Sequence, residues 1–361
     1  MTLVDTLAWL VDIPSPTGQE GQLCEALSRR FGWTYAREHV RRVGKSVVVG
    51  PRTGRPLILL VGHIDTVPSQ GQGPAQVEGG RLYGLGTSDM KSGVAVMVHL
   101  LEDDAVREGP FDVVGVFYDA EEGPDAGNGL EPVLQQMSWL SGAEFAVVLE
   151  PTDLELQLGC QGTANATVRF EGKTAHSARP WLGENAVTKA GTWLAGLHER
   201  QPEEHVVTGL SFYEVFSVTQ ATAGIARNVI PGRFDLHLNY RFPPDVTPEA
   251  ARKRIAEIAA PADVVEVHEI VPGAPVPEGN PHLDRLIRAT GARITPKQAW
   301  TDVARLARYK IPAVNYGPGE VVQAHQATES VPIANLRPAH EAMLGFLTEA
   351  PTADKWPAVS G

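Results

Sequence analysis

Short apolar runs alternate with amphipathic segments along the first 160 residues. The runs 57–61, 111–118 and 145–149 are apolar almost throughout. Runs of this length and character are typical of strands buried on both faces of a parallel sheet. Between the first two, residues 93–101 are apolar nearly all round, which predicts a buried helix. The alternation predicts an α/β fold, with a mixed, mostly parallel sheet flanked by helices.

The hydrophobic pattern changes after about residue 162. Residues 164–170 and 234–242 alternate with period two, which predicts strands with one wet face. These strands and the helices between them predict an inserted α+β domain at 163–272, and the Pro- and Gly-rich stretch 272–281 marks its end. The other predicted elements are helices at 3–11, 20–31, 186–197, 248–259, 283–289, 302–308 and 335–348, and strands at 47–49 and 313–316.

This division predicts a discontinuous α/β domain at 1–162 and 273–350, followed by a loose tail at 351–361. The 361 residues are 43% hydrophobic, which is enough for a sizeable core, and the net charge of −12 argues against nucleic-acid or anionic-membrane partners. Only Cys24 and Cys160 occur, so no disulfide framework is expected. With neither a signal peptide nor an apolar run of about 18 residues, the chain is expected to be cytoplasmic.

Acidic and imidazole side chains collect where the predicted strands end. His63 and Asp65 follow the first strand, and two glutamates follow the second. Open α/β sheets place their sites at these carboxyl ends. Two imidazoles and several carboxylates without a thiolate favour an open site for a divalent ion such as zinc. The complete set is His63, Asp65, Asp89, Glu121, Glu122, Glu150 and His325.

Each member of this set also has an ordinary structural interpretation. Asp89 is suited to cap the following helix, and Glu150 to occupy a turn. The adjacent Glu121 and Glu122 are compatible with a solvated loop, and His325 with a plain surface position. Taken together these interpretations fit poorly, because carboxylates gathered at one sheet edge repel one another and raise one another's pKa.

A pair of divalent cations would remove this repulsion and activate a water molecule. One carboxylate must stay off the metal ions to accept the proton of that water. Glu121 and Glu122 can divide these two tasks, because neighbouring residues point in different directions.

Several motifs give the chain a specific resemblance. The short motifs are His63-Ile64-Asp65, Ser88-Asp89-Met90-Lys91-Ser92-Gly93, Asp119-Ala120-Glu121-Glu122-Gly123, Glu150-Pro151-Thr152 and the late His325, and longer strings lie at 158–163, 175–183, 300–305 and 311–319. The order and approximate spacing of the short motifs resemble those of the co-catalytic zinc metallopeptidase family of aminoacylases, acetylornithine deacetylases and succinyl-diaminopimelate desuccinylases. The longer strings resemble the actinobacterial desuccinylases in particular.

The resemblance implies roles for the polar set. His63 and Glu150 would bind one zinc ion, Glu122 and His325 would bind the other, and Asp89 would bridge the two. Cobalt is the alternative metal. Asp65 would hold the His63 ring in one tautomer, and Glu121 would be the general base.

The resemblance also implies residues in the inserted domain, which would form a lid and pair with its twin in a homodimer. His176 would reach the partner's active site and stabilise the oxyanion, although a plain surface loop is the alternative. Asn228, Arg241 and Thr301 match substrate-contacting positions, and an outward strand position is the alternative for Arg241. The positive charge of Arg179 suggests a contact with a second carboxylate. Residues 300–305 depart from the Gly-Thr-Ser-Asp-Gly-Arg of many desuccinylases, which leaves the substrate contacts open.

Together these features predict a zinc-dependent hydrolase. It would cleave N-succinyl-LL-2,6-diaminopimelate, a dicarboxylic N-acyl amino acid of the route to lysine and diaminopimelate. Three alternatives remain: cleavage of a related amide such as N-acetylornithine or a dipeptide, a non-catalytic metal or ligand binder, and a nucleotide-binding α/β protein. Glu121 argues against the binder, because a binder needs no base. Residues 79–86 lack the spacing of a dinucleotide fingerprint, and no phosphate-binding lysine motif occurs.

Overall fold

The computed structural model describes residues 1–350. These residues form two compact units. The first unit comprises Met1–Leu158, Pro277–Thr295 and, of the described residues, 305–350, and the second comprises Gly159–Val276 and Pro296–Ala304. The first unit is therefore built from both ends of the sequence. The predicted loose tail, 351–361, lies outside the described residues.

Sixteen strands and eleven α-helices are found among residues 1–350. The strands are β1 Val40–Val43, β2 Ser46–Val49, β3 Leu57–His63, β4 Gln76–Glu78, β5 Arg81–Tyr83, β6 Asp112–Tyr118, β7 Phe145–Val148, β8 Leu156–Leu158, β9 Gly162–Glu171, β10 Glu203–Val207, β11 Leu210–Ala223, β12 Arg233–Phe242, β13 Val264–Val271, β14 Ile294–Pro296, β15 Ala313–Asn315 and β16 Ser330–Pro332. The helices are α1 Leu3–Val11, α2 Gly21–Phe31, α3 Ser92–Glu102, α4 Asp104–Arg107, α5 Leu130–Gln136, α6 Ala186–Lys189, α7 Gly191–Glu199, α8 Pro248–Ile258, α9 Pro281–Thr290, α10 Val303–Arg308 and α11 Ile333–Thr348.

An eight-stranded mixed sheet forms the centre of the first unit. Its strand order is β1-β2-β6-β3-β7-β15-β8-β14. β6, β3, β7 and β15 are parallel neighbours, whereas β1, β2 and β8 pair antiparallel. Every residue of β3, β6 and β7 is buried, which explains why these strands are apolar runs rather than alternating ones. The predicted α/β class with its mixed sheet is confirmed.

The register of the parallel strands decides where the polar residues lie. His63 at the end of β3 pairs with Tyr118 at the end of β6, and Val61 pairs with Val148 at the end of β7. Three carboxyl ends therefore meet at one edge of the sheet. The segments that follow these ends carry the acidic residues predicted from the sequence.

A close approach of α3 to this edge brings a further loop into the same place. A Cβ atom at Gly93 would lie 2.1 Å from the carbonyl oxygen of Leu149, so only glycine allows the helix to start here. Asp89 lies in the turn before α3, and Glu150 follows Leu149 directly. Gly93 thus allows the turn that carries Asp89 to lie beside the segment that carries Glu150.

The second unit contains a five-stranded antiparallel sheet of order β10-β11-β12-β9-β13. Burial alternates along β9 and β12, as their period-two patterns predict. The buried face packs against the helices through Phe170, Leu238, Trp193 and Ile255. The predicted helix 186–197 is in fact two helices, α6 and α7, and the second begins at Gly191, a poor helix former.

Two further observations concern the cysteines and the helices of the described residues. Cys24 and Cys160 are both buried and form no disulfide. Among residues 1–350, the helices are too short or too polar to cross a lipid bilayer.

Candidate metal centre

His63 and Asp65 form a buried pair at the end of β3. His63 is 1% exposed and Asp65 is fully buried. The Nδ1 atom of His63 lies 3.1 Å from the carbonyl oxygen of Asp65 and 3.5 Å from its carboxylate. With Nδ1 protonated, His63 donates to these oxygens and keeps a lone pair on Nε2. Asp65 therefore fixes the tautomer in which Nε2 is free to bind a metal ion.

The carboxylate of Asp65 also holds the loop that follows β6. Its two oxygens accept the backbone N–H groups of Glu121 and Glu122 at 3.0 and 3.1 Å. The Thr17 hydroxyl donates a further bond at 2.9 Å. Burial would raise the pKa of Asp65, but the bonds to His63, Glu121 and Thr17 hold it below its usual value. An ionised Asp65 thus positions both glutamates.

Asp89 lies at the centre of the polar cluster. Its Oδ1 atom is 3.1 Å from Nε2 of His63, and its Oδ2 atom is 3.5 Å from Nε2 of His325. The turn Thr87–Lys91 departs from helical geometry at Asp89, and the N-cap position of α3 is Lys91. The interpretation of Asp89 as the N-cap of this helix is therefore wrong.

His325 and Glu122 form the outer part of the cluster. Nε2 of His325 lies 3.0 and 3.1 Å from the two carboxylate oxygens of Glu122. The His325 side chain is 54% exposed, whereas that of Glu122 is 8% exposed. The backbone of His325 has a φ of +62°, in the left-handed region that non-glycine residues seldom adopt. The exposed imidazole therefore projects from an unusual backbone turn onto a buried carboxylate.

Three sets of donor atoms lie close enough together to hold a metal ion. In each set the donor atoms are within 4.8 Å of one another. The sets are His63, Asp89 and Glu150; Asp89, Glu122 and His325; and His63, Glu121 and Glu122. Asp89 belongs to the first two sets, so one carboxylate adjoins two candidate ion positions. All seven polar residues singled out in the sequence are therefore in or beside one cluster.

The charges of this cluster call for a cation. Burial and the neighbouring Asp89 carboxylate raise the pKa of Glu122. Burial alone would lower the pKa of His63, but Asp65, Asp89, Glu150 and Glu121 raise it well above the usual value. The acidic groups thus favour positive charge at the imidazole and disfavour further negative charge.

The donor chemistry fits a divalent metal ion. When Nδ1 of His63 is the donor, Nε2 and the oxygen of Asp89 are two acceptors only 3.1 Å apart. Nε2 of His325 faces the oxygens of Glu122 at 3.0 and 3.1 Å. When these imidazole nitrogens are unprotonated, a shared cation would relieve the repulsion within each pair, and imidazole with carboxylate is a donor set that zinc accepts.

Lys91 and Thr17 support the cluster, but neither was singled out from the sequence. Lys91 is 1% exposed and donates to the carbonyl oxygens of Leu10 and Ile13 at 3.0 Å each. Burial lowers the pKa of its ammonium group to about 7. Lys91 joins the Asp89 turn to the end of α1. The position of Lys91 within the Ser88–Gly93 motif could have drawn attention to it. Thr17, which donates to Asp65, belongs to no motif that could have identified it.

Arg305 supports the chain that follows Glu122. This side chain is 2% exposed and donates to Asp125 at 2.5 Å and to Glu131 at 2.8 Å. The Tyr309 hydroxyl donates to the same Glu131 carboxylate at 2.5 Å. These bonds hold the segment that runs from Glu122 to the start of α5. The sequence showed Arg305 only as part of a longer motif.

The remaining predicted residues lie in the second unit. The Ser177 N–H donates to the Asn228 carbonyl at 2.9 Å, and the Arg179 N–H donates to the His176 carbonyl at 2.8 Å. His176, Arg179 and Asn228 thus belong to adjoining loops, and all three are exposed. Arg241 is half-buried on β12, and Thr301 is buried.

Two relatives match almost the whole chain. A Mycobacterium tuberculosis protein provisionally named succinyl-diaminopimelate desuccinylase DapE is 36% identical over 347 residues, which cover 95% of this chain and 97% of the relative. The succinyl-diaminopimelate desuccinylase of Corynebacterium glutamicum is 35% identical over 351 residues, which cover 94% of each chain.

Solved structures share the fold at lower identity. The aminopeptidase PepT of Bacillus cereus superimposes with a TM-score of 0.76 at 20% identity, covering 96% of this chain and 97% of its own. The YXEP protein of Bacillus subtilis, described as a dinuclear metal-binding peptidase, superimposes with a TM-score of 0.67 at 18% identity and 96% coverage of both chains. The fold is therefore shared with known peptidases.

The sequence profile of peptidase family M20/M25/M40 matches residues 59–349. This range contains the whole polar cluster, from His63 to His325. It also contains the inserted antiparallel sheet. The chain belongs to peptidase family M20/M25/M40.

Proposed function

We propose that the chain hydrolyses the amide bond of N-succinyl-LL-2,6-diaminopimelate to succinate and LL-2,6-diaminopimelate. The single observation that carries this proposal is the 35–36% identity to proteins named as desuccinylases over 94–95% of the chain. The cluster of imidazoles and carboxylates at the sheet edge supports amide hydrolysis as the chemistry.

The donor sets support two metal positions. His63, Asp89 and Glu150 would hold one ion, and Asp89, Glu122 and His325 would hold the other. Zinc suits this mixture of imidazole and carboxylate donors, and cobalt is an acceptable substitute. When bound, the ions would polarise the acyl carbonyl and make a water molecule a stronger nucleophile.

Glu121 is the proposed general base and acid. Its carboxylate accepts a proton from the attacking water as the oxygen bonds to the succinyl carbon. It then returns that proton to the amine nitrogen, and the C–N bond breaks to release the two products. Asp65 assists by holding the N–H of Glu121 at 3.0 Å, so that this loop stays fixed during both proton transfers.

The second unit is proposed to be a lid and dimerisation domain. In this proposal His176 stabilises the developing oxyanion, while Arg179, Asn228, Arg241 and Thr301 contact the substrate. β10 pairs with only residues 210–214 of β11, and the rest of that strand has no second neighbour among residues 1–350. Such an open strand edge supports pairing with a second copy. A solution mass of a single 38.8 kDa chain would contradict the homodimer.

A substrate panel tests the proposed reaction. We expect kcat/KM for N-succinyl-LL-2,6-diaminopimelate to exceed that for N-acetylornithine or a dipeptide by about 10²-fold or more, because a site built to bind the carboxylate of the succinyl group rejects substrates whose acyl group lacks it. Release of free amine is measured with zinc content determined on the same sample. Faster turnover of N-acetylornithine would reassign the substrate, and no turnover of any substrate would favour a binding protein.

A further inference from the structure

A buried carboxylate outside the donor sets contacts the backbone of the Asp89 turn. Glu329 is 2% exposed. Its Oε2 atom accepts the N–H of Gly86 at 2.7 Å, and its Oε1 atom accepts the N–H groups of Ser88 and Asp89 at 2.9 Å each. Three charge-assisted bonds to one short segment restrict the directions that its backbone can adopt.

The backbone of Glu329 belongs to the segment that carries His325. Its N–H donates to the carbonyl of Gln326 at 3.1 Å, and its carbonyl accepts the N–H of Gly84 at 3.1 Å. β16 begins at the next residue and pairs with β5. Glu329 is thus anchored four residues after His325, while its side chain holds the turn that carries Asp89.

This connection affects the two donor sets unequally. The set of Asp89, Glu122 and His325 takes two of its three members from the segments that Glu329 joins. The set of His63, Asp89 and Glu150 takes only one. A change in the relative position of the two segments should therefore disturb the first of these sets more than the second.

We propose that Glu329 is a positioning residue that sets the affinity for the metal ion held by Asp89, Glu122 and His325. This inference rests on the metal centre of the proposed function. Residues that orient metal ligands from outside the donor set commonly change metal affinity by about 10–100-fold when they are replaced. The same range is expected here for one of the two ions.

The test is a Co²⁺ titration of the metal-free Glu329→Gln variant, followed by visible absorption and calorimetry. Glutamine keeps the shape but offers one acceptor oxygen and turns an NH₂ donor toward a backbone N–H. The wild type is expected to bind two ions in separable steps. In the variant, we expect the step assigned to His325 to weaken by about 10–100-fold, while the other step changes far less.

A matched control is Glu320→Gln, which alters another carboxylate of the same segment. The Glu320 carboxylate pairs with Arg81 and not with the Asp89 turn. We expect both Co²⁺ steps to be unchanged in this variant. Wild-type affinities in Glu329→Gln would overturn the proposal. Equal weakening of both steps, together with a lower melting temperature of the metal-free variant, would also overturn it, because this is the result of a general structural role.

A measurement on the wild type covers the case in which Glu329→Gln does not fold. Hydrogen exchange of the amides of Gly86, Ser88 and Asp89 is followed in the metal-free protein. Slow exchange supports the proposal, because these amides are bonded to Glu329 before any ion arrives. Rapid exchange would overturn it while leaving the metal centre intact. A wild type that binds no Co²⁺ would instead contradict the centre itself.

Discussion

Glu121→Gln is expected to lower kcat for the succinyl substrate by about 10²–10⁴-fold while the protein keeps its full metal content. The amide has nearly the same size as the carboxylate but cannot accept a proton from water. Both three-residue donor sets that include Asp89 are complete without Glu121. Initial rates measured beside zinc content report the two effects separately.

The neighbouring Glu122→Gln variant is the matched control for this experiment. Glu122 contacts His325 directly, so this substitution should lower metal content as well as rate. The metal content would then distinguish the two glutamates, because Glu121→Gln is expected to keep its metal ions and Glu122→Gln to lose metal. An unchanged kcat in Glu121→Gln would refute its role as the base, and loss of a metal ion from that variant would make Glu121 a ligand.

Asp89→Ala is expected to lower the metal content from two ions to fewer than one per chain, and kcat by about 10³-fold or more. Metal content should fall because Asp89 belongs to the set with His63 and Glu150 and to the set with Glu122 and His325. The rate should fall because bound metal ions supply several kcal/mol of charge stabilisation in the transition state. Chelation should cause the same loss in the wild type, and added zinc should reverse it there but not in the variant. Zinc content and initial rates are the measurements.

A control that also exchanges Asp for Ala separates loss of metal from loss of stability. Asp103 caps α4 by accepting the N–H of Ala105 at 2.8 Å. Asp103→Ala should cost about 1 kcal/mol of stability and leave zinc content and kcat unchanged. If Asp89→Ala kept two ions and a rate near that of the wild type, the assignment of Asp89 as the shared ligand would be wrong.

The central strands were predictable because they are buried on both faces. Because every residue of β3, β6 and β7 is buried, these strands consist almost wholly of apolar residues, and their length and composition alone identify them as strands. β11 and β13 were missed for the opposite reason. Much of each strand is exposed, and the apolar residues follow no clean alternation. β4, β5 and β16 are three residues long, which is too short for periodicity to appear.

The polar cluster was predictable only in part. The sequence placed His63, Glu122 and Glu150 at strand ends, but the register that brings those ends together depends on pairing between distant segments. His325 entered the set only as a polar residue beyond the last predicted strand, and the resemblance to a known family supplied its role as a ligand. Glu329 escaped notice because a loop carboxylate has no periodic signal. Its role becomes visible only when the N–H groups of the Asp89 turn are seen to point at it.

The donor sets around Asp89 are proposed to hold two metal ions. A crystal of the zinc-loaded protein, with anomalous diffraction recorded at the zinc edge, would show directly where the ions bind. We expect two peaks per chain, one among His63, Asp89 and Glu150 and one among Asp89, Glu122 and His325. Zinc bound away from Asp89, or no zinc at either position, would contradict this proposal.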